Sequence, residues 1–250
     1  MKLSLSGFDS CIQIYPHMIN VLEIENSVLF SRMCQSLASG LSENAIEPYL
    51  LWDESNTASG KPMETRMILS PLALPWEDRD ISGKLYARLE SRLSENEVLE
   101  EEVEGLFREL CAKSSILSFE MQSDYSFSVE WDYKKFLKSF GFSVTTNDEG
   151  TLLENTIRFF ELLVDIGYKK LLIFVNLKLY FSEKELLDLY NQAIFLGIRI
   201  LLLENVIAKE TLINEVKTLI DKEFVQISTK LPSENPSPCS GDFAPTVLEQ

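Results

Sequence analysis

The stretch that most constrains this chain is a strand–helix–strand pattern in its last third. Residues 170–176 read KLLIFVN, a short apolar run of the kind that suits a strand buried on both faces. Ser182, followed three residues later by Glu185, forms a capping box that starts a helix, and Gly197 stops it. Residues 198–203 then make a second buried strand. Two strands joined by a helical crossover lie parallel in one sheet, with a right-handed connection. The chain is therefore of α/β class, with a mostly parallel sheet.

The rest of the chain arranges itself around that unit. Residues 1–6 alternate like a strand, and residues 10–15 and 21–25 carry short apolar runs divided by a turn through Pro16 and Asn20. Asn26 caps a helix through Leu29, Phe30, Met33, Cys34 and Leu37, and Gly40 ends it. Two further strands are predicted at 49–52 and 65–69, on either side of a polar loop at 54–62. From Ser82 the texture turns helical, with Leu85, Leu89 and Leu93 recurring every fourth residue. The acids of residues 95–104 surround Val98, Leu99 and Val103, which describes the solvated face of an amphipathic helix running on toward Glu120. After an extended patch at 127–131, helices are predicted at 133–140 and 152–166. A third helix of the last third is predicted at 208–222, with a strand at 224–227. The Pro- and Ser-rich residues after Leu231 are too poor in core side chains to fold. The expected organisation is a head in two halves, 1–81 and 167–230, an inserted helical leg subdomain at 82–166, and a flexible tail at 231–250.

Such a sheet invites a phosphate-binding loop, and none is present. At Ser59-Gly60-Lys61-Pro62, the place five positions before the glycine holds Ser55, and proline stands where Ser or Thr must bind the metal. No G-x-G-x-x-G, G-x-S-x-G or H-E-x-x-H occurs, and His17, in a turn after Pro16, is the one histidine. Cys11, Cys34, Cys111 and Cys239 stand too far apart for metal-site spacing and read as reduced thiols. No apolar run reaches the ~18–20 residues that cross a bilayer, and the first residues lack the apolar block of a signal peptide. A cytoplasmic protein without catalytic activity is expected.

Charge restricts the partners. The formal net charge is −16, which repels nucleic acid unless the bases are segregated or cations neutralise part of the acid. Lys134, Lys135 and Lys138 share one predicted helix, Lys61 and Arg66 flank the polar loop, and Arg88 and Arg92 stand four apart on the leucine helix. Glu120, Asp124, Glu130 and Asp132 fall where helix gives way to extended chain, interleaved with Ser123, Ser126 and Ser128. Oxygen-rich, irregular chain of this kind suits calcium, although EF-hand spacing is absent. Read from composition alone, the same residues describe an acidic surface, and a protein-binding adaptor without DNA affinity is the alternative.

The order of several segments carries a resemblance. Val21-Leu22-Glu23 leads into Val28-Leu29-Phe30-Ser31; Phe119-Glu120 precedes Phe140-Gly141-Phe142-Ser143-Val144; then come residues 169–176 and Leu201-Leu202-Leu203-Glu204. In this order and spacing the chain resembles the DNA-end-binding spacer-acquisition accessory proteins of type II-A CRISPR systems. The resemblance implies a head like a phosphate-loop ATPase core without a nucleotide site, and a helical leg. It implies a homotetrameric ring, held in shape by calcium, that threads linear double-stranded DNA and assists the integrase complex and the RNA-guided effector nuclease. It makes Glu120 the first candidate calcium ligand, followed by Asp124, Glu130 and Asp132. Ser123, Tyr125 and Phe127 stand where relatives are more acidic. It also makes Lys134, Lys135 and Lys138, then Lys61 and Arg66, the candidate pore residues. Enclosure by a ring gives a preference for ends and needs basic side chains only within the hole.

Overall fold

The computed structural model describes residues 1–8, 10–52, 64–119, 121–123, 125, 131–145, 149–208 and 210–228. The polar loop, most of the extended patch and the C-terminal tail anticipated above lie outside these. The chain divides into two units. The first comprises Met1–Leu74, Asn147–Val164 and Lys169–Gln250; the second comprises Pro75–Thr146 and Asp165–Tyr168.

The first unit is built on a six-stranded sheet. Its strands are β3 (Ile19–Ile24), β5 (Thr65–Ile68), β6 (Leu171–Val175), β7 (Ile200–Glu204), β8 (Glu215–Ile220) and β9 (Gln226–Ser228), in the order β5-β6-β7-β3-β8-β9. All neighbours are parallel except β8 and β9, which form an antiparallel hairpin. Asp221 shapes that hairpin, its Oδ1 accepting from the amides of Glu223 and Val225. The β6–helix–β7 unit is parallel as expected, Leu172 standing opposite Ile200 and Val175 opposite Leu203.

Because strand side chains alternate, the registers assign the two sheet faces. On one face Leu22, Ile24, Leu171, Ile173, Leu201, Leu203 and Ile220 pack in a core with Leu29, Met33 and Leu37 of α1 (Ser27–Ser39). A small antiparallel sheet completes that core: β1 (Lys2–Leu5) between β2 (Ile12–Gln13) and β4 (Tyr49–Trp52). Asn26 caps α1 by accepting from the Val28 and Leu29 amides, each at 3.0 Å, and Gly40 ends it at φ 65°, a left-handed position that glycine takes without strain. The other face carries Leu172, Phe174, Val21 and Leu202 by register. It meets α5 (Leu152–Asp165) through an edge-on contact of Phe160 with Phe174 at 6.1 Å, and α6 (Glu183–Phe195) through Tyr190. The Ser182–Glu185 capping box opens α6, Glu185 Oε2 accepting from the Ser182 amide at 2.8 Å.

Two expectations need correction. Residues 215–220 form β8, not part of a helix over 208–222. Leu212, Val216 and Leu219 fit a helical period, yet Val216, Thr218 and Ile220 are β-branched and buried, and parallel pairing with β3 decides the outcome. The helix expected at 152–166 within the leg runs over Leu152–Asp165, and its residues as far as Val164 belong to the first unit. Its apolar face, with Phe159, Phe160 and Leu163 buried, takes Phe174 of β6 as a partner.

The second unit is helical, made of α2 (Arg79–Ser94), α3 (Glu97–Ile116) and α4 (Tyr133–Ser139). Asn96 accepts from the Leu99 amide at 3.2 Å and so begins α3 afresh two residues after α2 ends. α3 stops at Ile116 and has no buried residue: Val98, Leu106, Leu110 and Ile116 are all exposed. No helix among the described residues is long and apolar enough to cross a membrane. Cys34 and Cys111 are free thiols, and burial pushes the Cys34 thiol up to about 11.

Candidate nucleic-acid and cation interface

Most of the described candidate residues gather on α4 and its neighbours. Asp132 is the N-cap of α4: Oδ1 accepts from the Lys135 amide at 2.9 Å, and Oδ2 lies 3.1 Å from Lys135 Nζ. The Lys135 amide first, and then its side chain, hold the Asp132 carboxyl below the usual carboxylate range. Sequence reasoning placed this residue among calcium ligands. Here it is the cap that starts the basic helix, and a cation at Oδ2 must displace Lys135. Glu120, Asp124 and Glu130 lie outside the described residues, and among the described residues no three His, Cys, Asp or Glu side chains are placed to hold a metal.

The three lysines differ in their surroundings. Lys134 pairs with Glu90, which ties α4 to α2. Lys135 pairs with Asp132. Lys138 is exposed and has no ion pair among the described residues. On α2, Arg88 and Arg92 are likewise exposed and without an ion pair among the described residues. Lys84, one further step of four back along that helix, sits 5.9 Å from the centre of the Tyr168 ring. Lys61 lies outside the described residues. Arg66 is on β5 in the first unit, half-buried and opposite Leu172 in register.

Aromatic side chains hold α4 against α3. Phe107 packs at a tilt against Trp131 at 4.7 Å, Trp131 meets Phe136 at 5.6 Å, and Phe136 meets Phe140 at 4.8 Å. Tyr86 of α2 donates to the Phe142 carbonyl at 2.9 Å just beyond α4. The aromatic line ends at the surface, with Phe140 76% exposed. On α3, Glu104 pairs with Arg108 and Glu109 with Lys113, while Glu97, Glu101 and Glu102 remain exposed acids.

The first unit contains charged residues that sequence reasoning did not single out as candidates. Glu23, next to last in β3, stands directly opposite Glu204, which ends β7, and both are 0% exposed. The turn from β3 into α1 reads Glu25-Asn26-Ser27, with Asn26 Oδ1 occupying the amides of Val28 and Leu29. Open α/β sheets take phosphates at the carboxyl ends of their strands. At β3 a phosphate meets carboxylates and a helix start whose first amides are already taken. His17 is exposed in its turn at φ 58°.

Comparison with known proteins gives two findings. A sequence model described as CRISPR-associated protein (Cas_Csn2) matches residues 45–224. The crystal structure of Stu0660 of Streptococcus thermophilus superposes with a TM-score of 0.53 at 14% identity, covering 88% of this chain and 74% of that one, a likeness of fold. A search of curated proteins found no match.

Proposed function

The chain belongs to the CRISPR-associated Cas_Csn2 family, and from that premise we propose that it binds the ends of linear double-stranded DNA without catalysis, as a calcium-stabilised homotetrameric ring that assists spacer acquisition. The observation that carries the reading is charge segregation. In a chain of net charge −16, Lys138, Arg88 and Arg92 stand exposed and without ion pairs among the described residues, on two helices joined by the Lys134–Glu90 pair. A ring needs such cations only where it faces the duplex. Four copies then multiply them, and each phosphate neutralised releases counterions. The uncovered apolar residues of α3 supply a surface for association between copies. Calcium, when bound, cancels carboxylate charge that otherwise repels the phosphates. The first unit is read as the head, like a phosphate-loop ATPase core whose acidic β3–α1 turn has replaced the phosphate site. The second unit is read as the leg. The integrase complex and the RNA-guided effector nuclease are the partners that the family reading implies.

An acidic adaptor for basic proteins is the second reading, favoured by the exposed Glu97, Glu101 and Glu102 beside the bare apolar residues of α3. Gel-shift binding of a blunt linear duplex and a closed circle, each with calcium and with chelator, separates the two. The ring predicts a calcium-dependent shift of the linear duplex alone. Absence of any shift removes the ring and leaves the adaptor.

A further inference from the structure

Five ionisable side chains meet a tyrosine on the sheet face beneath α6. Glu23 of β3, Glu204 of β7, and Glu215 and Lys217 of β8 share that face by register, and Lys178, from the 3-10 turn Leu177–Leu179 after β6, reaches it. Tyr190 enters from α6. Glu23 and Glu204 are 0% exposed and Glu215 is 8% exposed. Three carboxylates against two ammonium groups leave one negative charge unbalanced, deep in the head. Burying an unbalanced charge is costly, and the group usually neutralises instead.

The hydrogen bonds show which carboxylate gives way. Glu215 is well supplied: Oε1 accepts from Tyr190 Oη at 2.8 Å and lies 2.8 Å from Lys178 Nζ, and Oε2 accepts from the Leu212 amide at 3.1 Å. Glu23 accepts at Oε1 from the Ala208 amide at 3.2 Å, and its Oε2, like that of Glu204, takes no hydrogen bond but has the Lys217 ammonium 2.9 Å away, which Glu204 Oε2 lacks. Lys217 in turn donates to the Ala208 carbonyl at 2.7 Å, fastening the loop after β7. Glu204 has the poorest set. Its Oε1 accepts from the Lys178 amide at 3.2 Å, and its Oε2 is buried without a hydrogen-bond partner. Glu23, across one register step, adds like-charge repulsion.

We propose that the head folds around one buried proton, carried by Glu204 opposite Glu23, and that the clasp at the ends of β3 and β7 loosens as that proton leaves. Desolvation first, only partly offset by the Lys178 and Leu177 amides and the Lys178 charge, pushes the Glu204 carboxyl up to about 7, in accord with the geometry. An unfolded glutamate titrates near ~4.3. The folded state therefore holds a proton that the unfolded state has released. Stability is full below the unfolded value and falls as pH rises through the folded value, reaching a floor above neutrality. The residues held by the clasp are the Lys178 amide on Glu204 and the Ala208 amide on Glu23.

Urea unfolding of the full chain and of Glu204→Gln from about pH 5.5 to about pH 8.5 tests this. The wild-type unfolding constant rises roughly tenfold between about pH 6 and pH 8.5, and the glutamine, a neutral isostere, removes that rise. The same pH dependence in Glu204→Gln overturns the proposal. Should the variant not fold, calorimetry of wild-type unfolding near neutral pH, in two buffers of different ionisation enthalpy, decides. Release of a large fraction of one proton on unfolding is expected, and no release overturns the proposal. Stability above neutrality that rises saturably with a metal ion, and loses that response in Glu204→Gln, also overturns it, since a cation then balances the charge.

Discussion

Neutralising Lys138, Arg88 or Arg92 should reduce the salt dependence of the proposed DNA binding, whereas neutralising Lys134 should not. Lys134 spends its charge on Glu90, so Lys134→Ala releases no counterion from the duplex, although it frees a carboxylate nearby. Lys138 and the two arginines have no such partner among the described residues. Each phosphate contact contributes about 0.9 to the slope of log affinity against log salt. One substitution per chain therefore lowers that slope by about 0.9 if one copy in the ring engages DNA, and by about 3.6 if all four do. Near physiological salt each lost contact weakens binding about fivefold. Lys135 falls between, because its side chain is 70% exposed and its pair with Asp132 is the weak surface kind. The assay is fluorescence anisotropy of a labelled linear duplex over a series of salt concentrations, for Lys134→Ala, Lys138→Ala and Arg88→Ala/Arg92→Ala. An equal loss of slope in all three refutes the distinction between paired and unpaired cations.

Leu106→Glu with Leu110→Glu should dissociate the proposed ring in sedimentation velocity while leaving the melting temperature of the isolated chain unchanged, since both side chains are exposed on α3. An unchanged sedimentation coefficient places the contact between copies elsewhere. Phe160→Ala, which empties a fully buried site against Phe174, should cost about 3–5 kcal/mol in urea unfolding, and a cost below about 1 kcal/mol would mean the α5 contact is not structural. Cys34 should resist alkylation at neutral pH and react about tenfold faster per pH unit up to about 11; rapid labelling at pH 7 contradicts its burial.

Where structure follows from short-range chemistry, it was legible in the sequence. The Asn26 cap, the Gly40 stop, the Ser182–Glu185 box and the apolar runs of β6 and β7 all appear where the residues place them. β8 was misread because its backbone is settled by β3, some 195 positions away in sequence, and a helical and a strand period overlap over 212–220. The break between α2 and α3 was hidden inside an acidic run that reads as one continuous solvated face, and Asn96 was its only sign. For the site, the basic cluster was visible but its pairing was not. Asp132 three residues before Lys135 is a local signal, whereas Glu90 meets Lys134 only through tertiary structure. Glu23 and Glu204 were on view as acids at or next to the ends of two apolar strands, Val-Leu-Glu-Ile and Leu-Leu-Leu-Glu. An acid in that place is the signal that their burial makes meaningful.

The central position of β3 has a consequence for how the chain is made. Its two neighbours in the sheet are β7 and β8, so the Asn20 side chain finds the Ile200 carbonyl across 180 positions of sequence. β3 must wait, with both hydrogen-bonding edges open, until the far-downstream residues of β7 and β8 have left the ribosome. The helices over 79–116 emerge in the meantime and depend on neighbours close in sequence. A nascent chain halted before residue 200 holds β3 without either partner, which makes it a substrate for chaperones or for aggregation.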